Sequence, residues 1–356
     1  MNYRSDFRMP FAISFTFCFV LAATVQTAIA QEKQKVVFQT TQFGRAFYDY
    51  AFALEDLSRK SGSWVDLKTE ETPGAMFMVK SLHDNLDKMR SGEKPWVIQY
   101  GSTNSTNFIS KGYAPFDKIN VPGYRVFSTI LSRINVLCTF DENLKTAGDL
   151  AGKRVGVATK AAPFNSTLKY LPYFEKGLGI DVDWQYIGIG QGKDGLLNGT
   201  VDASVCTFTG EYEPAADGVS FNITKADPDS STLELLASGR KLHFIPFDPK
   251  VLMSTYQGEG MMVFSPALVK TGAVDGIDKE FQGLTEFLYL TCDKDTPDDI
   301  LIELLKVRYE NSEKFGDYHA MFKTQPKNPF PAGAPKELIH PAAYKAAKVL
   351  GYKVIE

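Results

Sequence analysis

The sequence has few of the residues that most often build metal centres and catalytic sites. It contains four cysteines, four histidines and three tryptophans. The cysteines are far apart, at Cys18, Cys138, Cys206 and Cys292. The histidines are scattered without an H-E-x-x-H spacing, at His83, His243, His319 and His340. Neither pattern fits a metal site or a small disulfide scaffold, so we expect no metal and no cofactor.

Two interpretations of the cysteines beyond Cys18 are open. A bridge between Cys138 and Cys206 would suit an oxidising compartment. The other interpretation, which we favour from the sequence, is that these cysteines are buried apolar thiols on strands.

Basic charge is not in excess either. The chain has 39 lysines and arginines against 42 aspartates and glutamates, for a net charge of −3. A protein that binds nucleic acid needs a basic face, so nucleic acid is excluded as a partner. After residue 30, no segment approaches the roughly 20 apolar residues that a membrane-spanning helix needs.

The first thirty residues form the pattern of a signal peptide. Arg4 and Arg8 precede an apolar run from Phe11 to Ala23, and Ala28-Ile29-Ala30 supplies the small residues of a cleavage site. The apolar run is too short for a membrane anchor. Cys18 lacks the small-residue context of a lipoprotein cleavage site. We therefore expect residues 1–30 to be removed on export.

Strand and helix patterns alternate along the rest of the chain. Val36–Thr40 has the composition of a strand, and Tyr48–Ser61 has the periodicity of a helix. The same alternation returns between Arg154 and Phe208. It predicts an α/β fold with parallel sheets and right-handed crossovers, and the length suggests about two domains.

The loop between the first strand and the first helix is a candidate anion site. It comprises Thr41, Gln42, Phe43, Gly44, Arg45, Ala46 and Phe47. Free N–H groups at a helix N-terminus attract anions, and Arg45 could grip a carboxylate. The alternative is an ordinary turn with a solvated arginine.

Polar residues also follow two later strands. Gln99, Tyr100 and Ser102 end one strand, and Thr207 and Thr209 end another. Ligands of open α/β sheets bind beyond the carboxyl ends of strands, although solvated strand ends and helix caps explain the pattern equally well. Aromatic residues on the same loops, Tyr212 among them, indicate a ligand with apolar surface unless they belong to the core.

Several short motifs, in order, are similar to those of one family. They are Thr41–Gly44, Asn85–Glu93, Gln99, Asn165–Thr167, Asn198–Ala203 and His340–Gly351. In these motifs the chain resembles the extracytoplasmic solute receptors of tripartite ATP-independent periplasmic (TRAP) transporters, in particular the TAXI branch. Two loops depart from the family's glycine-rich pattern: the one with Gln42, Phe43 and Arg45, and Ala162–Asn165.

The resemblance implies a two-lobe periplasmic-binding-protein fold, type II-like, with the ligand cleft between the lobes. Lobe 1 would comprise residues 31–135 and 250–356, and lobe 2 residues 136–249. The protein would be a monomeric periplasmic receptor that passes an organic anion or amino acid, carboxylate-bearing on our expectation, to the permease subunits of a TRAP transporter. The predicted ligand-binding residues are Thr41, Gln42, Phe43, Arg45, Phe47, Gln99, Tyr100, Ser102, Asn165, Ser166, Thr167, Thr207, Thr209 and Tyr212.

Two other functions use the same kind of fold. A secreted enzyme has no support, because the sequence shows neither a G-x-S-x-G elbow nor a Ser/His/Asp set. A ligand-sensing protein of a signalling pathway cannot be separated from a transport receptor by sequence. We predict a receptor that is not an enzyme.

Overall fold

The computed structural model describes residues 33–119, 121–160, 162–258 and 264–355. The predicted signal peptide lies outside these residues. None of the helices within the described ranges is both long and apolar enough to cross a membrane.

The described strands are β1 Gln34–Thr40, β2 Val65–Glu71, β3 Trp96–Ser102, β4 Tyr124–Thr139, β5 Arg154–Val157, β6 Asp183–Tyr186, β7 Ala203–Pro214, β8 Phe221–Pro228, β9 His243–Ile245, β10 Ser265–Val269 and β11 Phe281–Asp293. The α-helices are α1 Ala46–Lys60, α2 Ala75–Arg90, α3 Thr103–Lys111, α4 Thr167–Leu171, α5 Ile189–Asn198, α6 Ser230–Leu236, α7 Pro249–Gly258, α8 Asp298–Glu310 and α9 Pro341–Leu350.

The N-terminal part is a parallel β/α layer, as predicted. β1 pairs in parallel with β2 on one side and with β3 on the other. Val36 and Phe38 on β1 are fully buried, as are Tyr50 and Leu54 on α1. The apolar stripe of α1 therefore covers the sheet, as its periodicity indicates.

Five strands close into a barrel, and four of them have eight or more residues. β4 pairs with β7 and β11, β7 with β8, β8 with β10, and β10 with β11. A Cβ atom at Gly210 would lie 2.5 Å from the carbonyl oxygen of Lys225, and one at Gly283 would lie 2.9 Å from that of Asn135. Glycine is required at both positions because neighbouring backbones approach so closely.

A second parallel layer extends from the barrel. β5 pairs in parallel with β6 and with β7. The sequence predicts one helix over Ser166–Gly177, whereas the structure has the short α4 followed by a π-helix from Pro172 to Leu178. Pro172 has no N–H for the α-helical ladder, which accounts for the change at that residue.

Cys138 on β4 and Cys206 on β7 form a disulfide, with 5.9 Å between their Cα atoms. Our preference for free thiols was therefore wrong for this pair. The two strands are hydrogen-bonded neighbours, and Cys206 lies opposite Val136, two residues before Cys138. Their sequence separation of 68 residues concealed this proximity. Cys292 is a buried free thiol, and burial raises its pKa.

Residues 33–356 form one compact unit. The predicted lobe boundary at residue 135 falls inside β4, which continues to Thr139. The residue bounds of the two lobes remain a prediction.

Candidate functional site

Arg133 is a cation in the middle of an otherwise largely apolar strand. It lies on β4, and 27% of its side chain is exposed. Its Nε donates to Glu286 Oε1 at 2.6 Å, and its Nη2 donates to Asn165 Oδ1 at 3.1 Å. Nη1 has no hydrogen-bond partner among the described residues. Nη2 also contacts Glu286 Oε1, so the Nη1 amino group is the part of the guanidinium that remains available to an anion.

Glu286, on β11, is the counter-ion of Arg133 and is almost fully buried. Its Oε1 also accepts from Lys169 Nζ at 2.8 Å, and its Oε2 accepts from Asn104 Nδ2 at 3.1 Å. Burial favours protonation of the carboxyl group, but the charges of Arg133 and Lys169 outweigh it and hold the pKa of Glu286 below its usual range. Glu286 is therefore ionised, and protein donors already occupy both of its oxygens.

Lys169, on α4, is fully buried. Burial lowers its pKa to about 8, although the negative charge of Glu286 opposes the shift. Its Nζ lies 5.1 Å from the centre of the Phe264 ring, and its backbone carbonyl accepts a hydrogen bond from the Tyr256 hydroxyl. Arg133 and Lys169 share one carboxylate, so these three groups carry a surplus of one positive charge at neutral pH.

We call Arg133, Lys169, Glu286, Asn104 and Asn165 the Arg133 cluster. It joins strands β4 and β11 to helix α3, which carries Asn104, and to the start of α4. Next to it, the Phe164 ring packs edge-on against Phe108 of α3 at 5.1 Å. The cluster thus lies where the N-terminal layer meets the second parallel layer.

A polar strip on β4 and β7 continues from Arg133. Thr209 lies directly opposite Arg133, and Thr207 lies opposite Asn135. Opposed residues of an antiparallel pair place their side chains on the same face. Asn135 Nδ2 and Thr207 Oγ1 are buried without a hydrogen-bond partner among the described residues. Buried polar atoms are almost always paired, so this strip has the unmet bonding capacity that a polar ligand would use.

An aromatic wall, formed by Phe47 and Tyr100, lies within the electrostatic reach of Arg133. The rings of Phe47 and Tyr100 stack in parallel, with centroids 4.6 Å apart. Burial raises the pKa of Tyr100, and the nearby charge of Arg133 partly offsets that shift. The site therefore combines one cation with a flat apolar surface.

The structure brings several of the predicted residues to this site. Asn165 is a member of the cluster, Thr207 and Thr209 form the polar strip, and Phe47 and Tyr100 form the aromatic wall. Ser102 is the N-cap of α3, where its side chain accepts from the Ser105 N–H, so it positions the helix that carries Asn104.

Other predicted residues make contacts within the protein, although Gln99 Oε1 and the Tyr212 hydroxyl are buried without a hydrogen-bond partner among the described residues. Gln99 Nε2 donates to Gln39 Oε1 at 3.0 Å and to the Met78 carbonyl at 2.6 Å. The Ser166 hydroxyl donates to backbone carbonyls of the preceding turn. Tyr212 packs against two phenylalanine rings of the barrel strands β8 and β11. Thr167 is half-buried at the start of α4.

The first loop is largely exposed. Gln42 and Arg45 are exposed, and Arg45 is the N-cap residue of α1 without a capping bond from its side chain. Phe43 is 76% exposed, and its N–H donates to Glu71 at 3.2 Å. Thr41 Oγ1 is buried without a partner in the described part of the chain. Among the described residues, no contact joins Thr41–Arg45 to the Arg133 cluster; Phe47, the last residue of this loop, stacks on Tyr100.

Arg133, Lys169 and Glu286 were missed by the sequence analysis. A charged residue inside a mostly apolar segment, such as Arg133 within Ile130–Leu137 or Glu286 within Phe281–Leu290, is the signal that could have pointed to them. Buried charges are costly unless paired, so two such residues on separate apolar strands predict a partnership.

Two of the family-like motifs have structural roles here. Asp202 accepts from the Arg154 guanidinium and from its backbone N–H, which ties β5 to the start of β7. His340 is the N-cap of α9, and burial lowers its pKa. Within the described residues, no group of three or more His, Cys, Asp or Glu is arranged to hold a metal ion.

A cavity of about 510 Å³ lies away from the Arg133 cluster. It is lined by the β7–β8 connection, by Phe221 and Ser265 of the barrel, and by residues 333–337. None of the predicted ligand-binding residues contributes to its lining.

Comparison with known proteins supports the fold. Residues 216–348 match the model of the NMT1-like family, which is less than half of the chain. No curated protein matches. Among solved structures, a TctC solute binding protein from Polaromonas superposes with a TM-score of 0.50 at 12% identity, over 82% of this chain and 89% of that chain.

Two further structures are less similar. A periplasmic sulfonate-binding protein, SsuA, from Methylobacillus flagellatus has a TM-score of 0.46 at 12% identity, over 91% of this chain and 96% of that one. MatC from Rhodopseudomonas palustris, with bound malate, has a TM-score of 0.43 at 10% identity, over 90% and 96%. The predicted fold class is confirmed by the Polaromonas structure.

Proposed function

We propose that this protein is a solute-binding receptor that captures a small organic carboxylate at the Arg133 cluster. The observation that supports this most directly is the free Nη1 group of Arg133, beside buried polar atoms that lack partners at Asn135 and Thr207. A guanidinium N–H donates a charge-assisted hydrogen bond to a carboxylate. The surplus positive charge of the cluster favours an anion.

The proposal includes export to the periplasm and delivery of the ligand to a membrane permease of the TRAP type. The signal-peptide pattern and the Cys138–Cys206 disulfide support an oxidising, extracytoplasmic location. The motifs similar to the TAXI receptors support the permease partner. A receptor returns its ligand chemically unchanged, and we propose no catalysis.

The test is calorimetric titration of the wild type and of two arginine variants. A thermal-shift screen over carboxylates first supplies the ligand, because a compound that binds only the folded state raises its melting temperature. Arg133→Ala should then weaken binding by about 2–4 kcal/mol, as expected for loss of one partner of a buried charge pair.

Arg45→Ala is the matched control, since Arg45 is the other arginine predicted to bind a carboxylate and it lies exposed. We expect a smaller loss there. Arg133→Lys keeps the charge but not the fork of donors, and should give an intermediate affinity. Full affinity in a folded Arg133→Ala protein would remove Arg133 from the site.

A further inference from the structure

We propose that this site accepts ligands with one carboxylate and rejects those with a second, because Glu286 and Asp229 already supply negative charge around Arg133. The proposal rests on the function proposed above. It makes these two acidic residues determinants of specificity.

The first step is the charge balance at Arg133. Glu286 cancels one of the two cations, and its oxygens are occupied by Arg133, Lys169 and Asn104. Lys169 is fully buried, so it adds charge but no accessible donor. One ligand carboxylate neutralises the remaining charge. A second would have no cation of the cluster to pair with.

The second step is the position of Asp229. Its N–H donates to the Thr207 carbonyl at 2.9 Å, which continues the β7–β8 ladder by one residue. Its Oδ1 accepts from the Thr232 N–H at 2.8 Å, and the Thr232 side chain also hydrogen-bonds this carboxylate. Thr207 separates Asp229 from Asn135, so Asp229 lies about 10 Å, or two strand spacings, from β4.

A second aspartate lies on the same side. Asp227 is the cross-strand partner of Thr209, which is itself opposite Arg133. Asp227 is exposed, whereas Thr209 is buried and shares a hydrogen bond with Thr324. Burial raises the pKa of Asp229, and the charge of Arg133 opposes that shift. The strand register of Asp229 and the effect of the Arg133 charge on its pKa both place Asp229 within the electrostatic reach of Arg133.

A ligand held by Arg133 and extended across β7 therefore points its far end toward carboxylates. A second carboxylate there is repelled, whereas a methyl or ammonium group is not. Rejection by an unfavourable charge is a common source of specificity.

Three chain-matched probes test this: valerate, 5-aminovalerate and glutarate end in a methyl, an ammonium and a carboxylate group. Calorimetry at pH 7 should give a dissociation constant for glutarate that is at least about tenfold larger than those for valerate and 5-aminovalerate. The decisive quantity is the dissociation constant of glutarate divided by that of 5-aminovalerate. The far end of each of these two probes carries one charge that must be desolvated.

Asp229→Asn is a conservative test variant, because asparagine caps a helix as well as aspartate does. It should lower the ratio of the glutarate and 5-aminovalerate dissociation constants by at least about threefold, and Asp227→Asn should also lower that ratio. Asp275→Asn, which removes an exposed aspartate elsewhere, should leave the ratio unchanged.

The outcomes separate the two proposals. If none of the three probes binds, the carboxylate receptor itself is contradicted. If glutarate binds as tightly as 5-aminovalerate, or more tightly, while Arg133→Ala abolishes binding, only the specificity proposal is overturned. An unchanged ratio in both the Asp229→Asn and Asp227→Asn proteins also overturns it.

Discussion

Lys169 carries its charge where its side chain has no contact with solvent. Its amine is held by Glu286 on one side and by the face of the Phe264 ring on the other. These contacts replace only part of the lost hydration, so burial still lowers its pKa, from 10.5 to about 8. A charge held at such a cost is expected to show in the pH dependence of stability.

The folded state loses this proton at a lower pH than the unfolded state does. Below pH 8 both states hold the proton, and above pH 10.5 neither does. Between these values the unfolded state binds more protons, so the contribution of Lys169 to the free energy of unfolding rises with pH. We expect a rise of up to about 3 kcal/mol over this window.

Urea denaturation at several pH values checks this. The difference in unfolding free energy between wild type and Lys169→Met isolates the contribution of Lys169 from the tyrosines that titrate nearby. Lys279→Met, which alters an exposed lysine, should show no such trend. A wild-type minus Lys169→Met difference that stays flat from pH 8 to 10.5 would contradict the buried position of this charge.

At the residue scale the sequence predicted part of the site. Asn165, Thr207, Thr209, Tyr100 and Phe47 follow strands or begin helices, and local patterns reveal such positions. Arg133 and Glu286 lie inside apolar strands. Their meeting depends on the register of β4 with β11, which pairs residues about 150 positions apart. Local patterns contain no information on that register.

At the element scale, the first β/α units could be predicted and the barrel could not. The apolar residues of β1 and of α1 recur with different spacings, and the two elements are neighbours in the chain. The sequence predicts strands over Ile134–Phe140 and Phe287–Cys292, which cover only the last parts of β4 and β11. Long buried strands have no alternation to mark where they begin. The closure of β10 onto β8 and β11 depends on partners distant in sequence.

The close approach at Gly210 gives the barrel a direct test. An alanine Cβ there would lie 2.5 Å from the Lys225 carbonyl oxygen and 3.0 Å from the side chains of Ala226 and Ile223. The backbone oxygen cannot move without disturbing the β7–β8 ladder. Gly210→Ala should therefore destabilise the protein by about 1–3 kcal/mol.

Gly190 is the matched control, because a Cβ there would meet nothing within 4 Å. It lies in the first turn of α5, where alanine favours the helix. Gly190→Ala should be neutral or stabilising by up to about 1 kcal/mol in urea denaturation. Equal effects of the two substitutions would mean that β7 and β8 are not packed as closely as the barrel requires.

At the scale of the whole molecule, the Arg133 cluster joins elements assigned to different predicted lobes. Asn104 belongs to α3 of lobe 1, whereas Asn165 and Lys169 belong to lobe 2. Glu286 accepts hydrogen bonds from Asn104 and from Lys169, one in each predicted lobe. The Phe164 backbone carbonyl lies 3.5 Å from Asn104 Nδ2. If the lobes open, the bonds of Lys169 to Glu286 and of Asn165 to Arg133 must break, and Lys169 gains water in exchange for its partner. Arg133 and Glu286 both belong to lobe 1 and stay paired. The balance between open and closed states is therefore sensitive to one further anion at Arg133.

A bound carboxylate should shift this balance toward the closed state, because it contacts both sides only when they are together. We expect X-ray scattering to show a smaller radius of gyration when a ligand found in the thermal-shift screen is added at saturation. Arg133→Ala should show no change at the same ligand concentration, since it lacks the group through which the anion favours closure. A radius of gyration that stays constant in saturated wild-type protein would argue against the two-lobe division. Steady chemical conversion of the ligand during the measurement would instead contradict the receptor function and favour an enzyme.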